Sequence, residues 1–227
     1  MQMNTGVRVL WAGCLGAMVI APGIVHADEP PPAARGFQMA LRTGYSIPMG
    51  KASGEPGDDL SETFSGQVPI LVDLGGKLGD NVFLGGYVGL GIGGAGSTVG
   101  TACDKYAVSC ATASFRLGAE LQYHFSPDEK TNPWLGYGIG LESSAVGGST
   151  SRGDFSVAGV GPEFAHLMGG LDFRLSSGFG VGPFVDLSIA QYNQIQVKVP
   201  GDTSTQNITN KAIHEWLTIG ARFVFWP

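Results

Sequence analysis

The sequence predicts an all-β protein, a single antiparallel up-and-down transmembrane β-barrel of eight strands that is preceded by a cleaved signal peptide. Three observations predict it. Apolar residues alternate with small and polar residues at the strand period of two over most of the chain. Glycine accounts for 37 of the 227 residues, and only 14% of residues are charged. A typical soluble domain has about 7% glycine and about 25% charged residues. The links between the segments alternate between short turns and long loops, as they do in a membrane barrel.

The composition also excludes several classes of protein. With 43% hydrophobic residues, the chain has too much apolar surface to bury for an intrinsically disordered protein. It also lacks the Gly-X-Y period of collagen. A net charge of −6 and a pI of about 5.1 argue against a nucleic-acid partner, because nucleic-acid-binding proteins present a basic surface.

Residues 1–27 have the pattern of a secretory signal peptide. Arg8 precedes an apolar run from Val9 to Ala21, and Val25 and Ala27 are small residues at the −3 and −1 positions of a cleavage site. As a helix this run would span only about 20 Å, too short for the ~30 Å hydrocarbon core of a bilayer. Cleavage removes one positive charge, so the mature chain has a net charge of −7. Residues 28–36 then form a proline-rich periplasmic lead-in, which we expect to be a plain spacer.

Cleavage also removes Cys14 and leaves Cys103 and Cys110. Two cysteines in an exported protein favour a disulfide, and free thiols are the main alternative. A metal site is disfavoured because no histidine lies near the pair in sequence and two thiolates are too few for zinc.

The barrel is predicted over residues 37–227, with strands of about 9–14 residues. The fourth strand alternates most regularly, with Phe115, Leu117 and Leu121 on one face and Arg116 and Glu120 on the other. In the third, the uncharged stretch 82–100 contains eight glycines, which favour a strand over a membrane helix. The eight alternating segments lie at residues 37–47, 68–74, 84–93, 114–125, 135–142, 166–175, 179–189 and 217–225.

The links alternate in length along the chain. Short turns are predicted at 77–81, 126–133 and 176–178. Long loops are predicted at 48–65, 94–112, 144–154 and 193–213. Because the strand number is even, both termini lie at the end of the barrel with the short turns, which is the periplasmic end in such barrels.

The positions of the charged residues distinguish a membrane barrel from a soluble one. All six lysines lie in predicted turns or loops, whereas the mid-strand charges share the face that carries the glycines. An arginine facing lipid would cost ~2–4 kcal/mol, and the interior of an eight-stranded barrel is only wide enough for side chains. We therefore predict an ion-paired network that fills the lumen. Its members are Arg42, Asp73, Arg116, Glu120, Glu142, Asp172, Arg174, Asp186 and Arg222.

Aromatic residues cluster near the predicted strand ends, which is typical of the girdles at the two membrane interfaces. The predicted girdle residues are Phe37, Tyr45, Phe125, Trp134, Phe173, Phe179, Tyr192, Trp216 and Phe225.

In these features the chain resembles the small eight-stranded outer-membrane proteins of Gram-negative bacteria, of the OmpA-barrel, OmpX and OmpW type. The resemblance covers residues 37–225 and rests on pattern, without a diagnostic motif. The alternating C-terminal segment that ends at Phe225 matches the family's signal for the barrel-assembly machinery, although Trp226 and Pro227 extend beyond it. The resemblance implies a location in the cell outer membrane, with both termini in the periplasm. It also implies outer-membrane lipid and lipopolysaccharide as surroundings and the barrel-assembly machinery as a partner.

The function predicted from the sequence is non-enzymatic. We expect a largely plugged barrel with a structural or surface-interaction role, no cofactor and no metal site. The sequence does not identify a partner for the extracellular loops. An alternative is a narrow channel of OmpW type for small or apolar solutes. A third hypothesis is a lipid-modifying enzyme that uses His166 with Glu142, Ser143 and Ser144, although a hydrogen-bonded lumen histidine is the favoured role for His166.

Overall fold

The computed structural model describes residues 36–150 and 153–226. The predicted signal peptide and most of the lead-in therefore lie outside the described residues. The two helices are α1 (Leu60–Thr63) and α2 (Ser97–Lys105). The ten strands are β1 (Phe37–Gly50), β2 (Phe64–Leu78), β3 (Val82–Ala95), β4 (Cys110–His124), β5 (Thr131–Thr150), β6 (Gly153–Ser176), β7 (Phe179–Ala190), β8 (Gln194–Val199), β9 (Asp202–Asn207) and β10 (His214–Phe225).

Eight of these strands form a closed antiparallel ring. Strands β1 to β7 pair in sequence, and β10 pairs with both β7 and β1. The ring closes along β1 and β10, from Met39 opposite Phe225 to Gly50 opposite His214. Closure satisfies the backbone hydrogen bonds of every ring strand on both sides, which a strand in lipid requires. The predicted eight-stranded antiparallel barrel is confirmed.

The two ends of the barrel differ, and we name them by their connections. The terminal end carries the first residue of β1, the last of β10 and the three short turns at 79–81, 125–130 and 177–178. The loop end carries the connections 51–63, 96–109 and 191–213 and the hairpin between β5 and β6.

The connection between β5 and β6 differs from the prediction. These strands are 20 and 24 residues long, and they remain paired from Ser143 opposite Val160 to Thr150 opposite Gly153. The loop predicted at 144–154 is therefore wrong, because most of it is a paired extension of the barrel wall. The extension consists largely of small and polar residues, so hydrophobic alternation does not mark it.

The other loops also contain regular structure. Within the predicted loop 193–213, β8 pairs with the extended part of β6, for example Val197 opposite Val157, and β9 pairs with β8. The helix α2 is joined to the start of β4 by a disulfide between Cys103 and Cys110. Neither helix in the described ranges has the length and hydropathy needed to cross a bilayer.

The outer surface of the ring is apolar. Side chains such as Ile70, Leu90, Ile139 and Ile219 are between 54% and 61% exposed. A soluble protein rarely exposes so much contiguous apolar surface, whereas a membrane barrel presents it to lipid.

The predicted aromatic girdle is only partly on this surface. Phe37, Tyr45, Phe125 and Phe173 are exposed, and Phe179 packs against Phe225 at the terminal end. Three of the nine predicted girdle residues were assigned wrongly, because they are buried inside the barrel: Trp134, Tyr192 and Trp216. Trp134 and Trp216 share the parity of the inward-facing residues of their strands, so the strand period directs them into the lumen. Tyr192 lies two residues beyond the end of β7 and continues the inward parity of that strand.

Candidate functional site

The centre of the lumen is organised around Arg42 of β1. Its Nη2 lies 2.8 Å from Asp73 Oδ1 of β2 and 3.6 Å from Glu120 Oε2 of β4, and its Nη1 lies 3.2 Å from Asp186 Oδ2 of β7. All four side chains are no more than 1% exposed. Because a guanidinium carries five donors in a rigid planar fork, one arginine links carboxylates from three strands across the barrel.

A histidine continues this cluster toward the opposite wall. His166 of β6 has its Nε2 3.3 Å from Asp186 Oδ2 and its Nδ1 3.2 Å from Glu163 Oε1. The hydroxyl of Tyr87 donates to the other oxygen of Glu163. His166 is thus surrounded by polar partners inside the lumen. The hydrogen bonds and ion pairs among the described residues do not join it to Glu142 or Ser144.

Glu163 is a lumen residue that the sequence analysis missed. The pairing of β6 with β7 shifts between Glu163 and Ala165, which face Ala190 and Ile189. This β-bulge adds one residue, so Glu163 and His166 both point inward although they are three positions apart. The only sequence signal was an acidic residue at the end of an apolar strand, with the wrong parity for the lumen.

Glycines make room for Tyr87, whose ring crosses the lumen face of two neighbouring strands. A Cβ at Gly118 of β4 would lie 2.3 Å from the Tyr87 hydroxyl oxygen, and a Cβ at Gly140 of β5 would lie 2.6 Å from it. Both distances are shorter than a carbon side chain tolerates. The high glycine content of the chain therefore has a steric cause at this position.

We expect Gly118→Ala to destabilise the folded barrel by about 1–3 kcal/mol, the usual cost of overpacking a filled interior. The measurement is urea unfolding in lipid vesicles, followed by gel mobility without boiling. Gly100→Ala is the control, because a Cβ at this position in α2 meets only one atom, at 3.8 Å. Equal stability of the Gly118 variant and wild type would contradict the steric explanation.

A second layer of polar contacts lies near the terminal end. Arg222 of β10 bonds to Asp172 Oδ2 at 2.9 Å and to Gln122 Oε1 at 2.7 Å, and its guanidinium lies 4.1 Å from the Trp134 ring centroid. Arg174 donates to the carbonyl of Pro127 at 2.6 Å, and its guanidinium lies 4.8 Å from the Trp226 ring centroid.

A third layer, near the loop end, converges on the carboxylate of Glu142 in β5. Its Oε2 lies 3.3 Å from Arg116 Nε, so the two form a buried ion pair. The other oxygen is the meeting point of four groups. They are Ser144 Oγ at 2.9 Å, Tyr192 Oη at 3.0 Å, Trp216 Nε1 at 3.0 Å and His214 Nε2 at 3.3 Å.

An apolar cluster lies next to Glu142 toward the loop end. Leu60 of α1 is fully buried against Phe64, Tyr192 and Trp216. Phe64 meets Trp216 edge to face, with ring centroids 5.5 Å apart. We call these four residues the apolar seal. Of the four, Tyr192 and Trp216 donate hydrogen bonds to Glu142.

Above the apolar seal, the loops enclose a cavity of about 410 Å³. Its walls come from the connection between β1 and β2, the extended parts of β5 and β6, the start of β8 and the segment 207–210. Phe64 and Tyr192 of the apolar seal contribute to the lining. We call this space the loop-end cavity.

Among the described residues, Ser144 donates its hydroxyl to Glu142 rather than to a histidine. In the described ranges, no three histidine, cysteine or carboxylate side chains are grouped so that they could hold a metal ion. The predicted network members form ion pairs in three layers: Arg222 with Asp172, Arg42 with Asp73, Glu120 and Asp186, and Arg116 with Glu142.

A closed ring of eight antiparallel strands, with an apolar outer surface and a polar, filled interior, defines a small transmembrane β-barrel. No protein-family model matches the sequence, and no curated protein matches it. Three solved structures illustrate what the chain is similar to. Neisserial surface protein A has 12% identity and a TM-score of 0.44, covering 84% of this chain and 97% of that one.

The second is Ail, the attachment invasion locus protein of Yersinia pestis, with 10% identity and a TM-score of 0.44, covering 83% of this chain and 98% of that one. The third is the outer-membrane protein OprG of Pseudomonas aeruginosa, with 10% identity and a TM-score of 0.47, covering 86% of this chain and 99% of that one.

Proposed function

We propose that this protein is an outer-membrane barrel with a non-conducting lumen, and that it serves a structural and surface-interaction role through its loop end. The observation that carries the proposal is the set of contacts around Arg42, which joins β1 to Asp73, Glu120 and Asp186 with all four side chains buried. For water to pass continuously through the barrel, the guanidinium of Arg42 would have to move away from these carboxylates.

The energetics favour a closed state. Breaking a buried ion pair by removing one partner costs about 3–5 kcal/mol. The lumen contains such pairs in three layers, at Arg222 with Asp172, around Arg42, and at Arg116 with Glu142. The apolar seal adds a layer that water does not solvate favourably.

The orientation follows from the shape of the two ends. In outer-membrane barrels the short turns face the periplasm and the long loops face outward. By analogy, we infer that the terminal end faces the periplasm and the loop end faces the cell surface, with outer-membrane lipid and lipopolysaccharide around it. The β8–β9 hairpin and the β5–β6 extension then project outward and are available to partners.

We assign the protein no catalytic role, because the serine and histidine of the enzyme hypothesis do not pair among the described residues. His166 lies between Glu163 and Asp186, and Ser144 bonds to Glu142. Carboxylates can orient a histidine base, but none of the hydrogen bonds among the described residues joins a serine hydroxyl to a histidine, so a nucleophile next to its base is missing.

Conductance tests the closed lumen. We expect refolded wild-type protein in a planar bilayer to give no steady, resolvable current. The control for folding is the gel mobility of the same preparation, which must differ before and after boiling. The absence of current can then be attributed to a folded barrel. A reproducible single-channel current would refute the closed lumen and support the narrow-channel alternative instead.

A further inference from the structure

The loop-end cavity combines two kinds of lining. One side is hydrocarbon from Val146, Val157 and Ile195, which belong to the extended barrel wall and the hairpin. The other side carries the carboxylates of Glu55 and Asp58 from the connection between β1 and β2. A site of this kind, mostly apolar with a few convergent polar groups, is typical of small-molecule binding.

The two carboxylates have hydrogen-bond donors but no cationic partner within the described part of the chain. Glu55 accepts from the side-chain amide of Asn210 at 3.1 Å, and Asp58 accepts from the hydroxyl of Ser53. Among the residues that the structure describes, no lysine, arginine or histidine lines the cavity. A cation bound there would therefore supply an ionic partner to the exposed Glu55 and the partly buried Asp58.

The floor of the cavity is aromatic. Phe64 and Tyr192 line it and add to its hydrocarbon surface. An anion would meet the two carboxylates. A neutral apolar molecule would fill the space but leave the carboxylates without an ionic partner.

We infer that the loop-end cavity binds a small amphipathic organic cation, an amine whose ammonium group pairs with Glu55 and Asp58 while its apolar body packs against Val146, Val157 and Ile195. The inference rests on the proposed function in one respect, because it takes the loop end to face the cell exterior. A volume of about 410 Å³ lies toward the lower end of the range of about 300–1,000 Å³ for ligand sites. The ligand is therefore small.

Three probes of matched shape test this inference. They are 4-phenylbutylamine, 4-phenylbutan-1-ol and 4-phenylbutyrate, which are cationic, neutral and anionic at pH 7. Binding is measured by calorimetry on wild-type protein in nanodiscs of zwitterionic lipid, with empty nanodiscs subtracted. We expect the amine to bind at least about ten-fold more tightly than the alcohol, because a charge-assisted hydrogen bond is stronger than a neutral one. The carboxylate probe should bind most weakly.

Variants then locate the site. In the double variant Glu55→Gln and Asp58→Asn, the ten-fold advantage of the amine should disappear while the alcohol binds as before. Asp202→Asn is the matched control, since this exposed carboxylate of β9 does not line the cavity. Val157→Trp fills the cavity and should abolish binding of both the amine and the alcohol.

The inference is overturned if none of the probes binds wild type, if the alcohol or the acid binds as tightly as the amine, or if the preference survives the double variant. The wild-type comparison needs no variant to fold. Conductance measured on the same protein separates the two proposals. A silent bilayer without amine binding refutes the cation site alone, and a conducting bilayer with amine binding refutes the closed lumen alone.

Discussion

Arg42→Met is expected to destabilise the folded barrel by about 3–5 kcal/mol, the cost of removing one partner from a buried ion pair. The methionine fills much of the arginine volume, but Asp73, Glu120 and Asp186 then face one another without the guanidinium between them. Urea unfolding in lipid vesicles, followed by gel mobility and circular dichroism, gives the change in the free energy of unfolding.

Two further variants separate charge from packing. Lys105→Met removes a cation from an exposed position of α2 and should change stability by no more than about 0.5 kcal/mol. Adding Asp73→Asn to Arg42→Met removes one of the uncompensated carboxylates, so the double variant should be more stable than Arg42→Met alone. A double variant that is no more stable than Arg42→Met would contradict an electrostatic role for the central cluster.

Glu142→Ala is expected to produce an effect of similar size, about 3–5 kcal/mol, at the loop end of the lumen. The change leaves Arg116 without its ion-pair partner and leaves the hydroxyl of Tyr192 and the indole N–H of Trp216 without their acceptor. Glu142→Gln keeps one acceptor oxygen and should cost less, about 1–3 kcal/mol.

A spectroscopic readout shows whether the apolar seal depends on this carboxylate. The indole proton resonance of Trp216 should move in Glu142→Ala, because the hydrogen bond of 3.0 Å is lost. Glu215→Ala is the matched control: it removes the same side chain from the neighbouring position of β10, and the hydrogen bonds to Glu142 remain intact. An unchanged Trp216 resonance in Glu142→Ala would contradict the contact.

Parity along each strand was sufficient to predict which side of the barrel wall most residues face. The reason is physical: a charged side chain at mid-strand is too costly in lipid, so Arg116 and Glu120 face inward whatever their neighbours are. The same rule, applied to Trp134 and Trp216, would have placed both inside. Position near a strand end does not by itself tell a girdle aromatic from a lumen aromatic, whereas parity does.

Other features depend on contacts that a single strand does not encode. The bulge at Glu163 arises from how β6 pairs with β7. The extension of β5 and β6 is held by backbone hydrogen bonds between small residues, and its sequence resembles a loop. The loop-end cavity brings together Glu55 and Asn210 from two connections and Val157 from the extended part of β6, and nothing in the local pattern predicts that they meet.

The pairing of β1 with β10 has a consequence for biogenesis. The first strand of the barrel pairs with β2 on one side, and its second partner, β10, is synthesised last, so every shorter chain has two unsatisfied strand edges. Such edges recruit other chains in water and are not tolerated in lipid. The nascent chain must therefore be shielded until residues 214–225 arrive. A chain that ends before β10 cannot close the ring, because β10 joins β7 to β1.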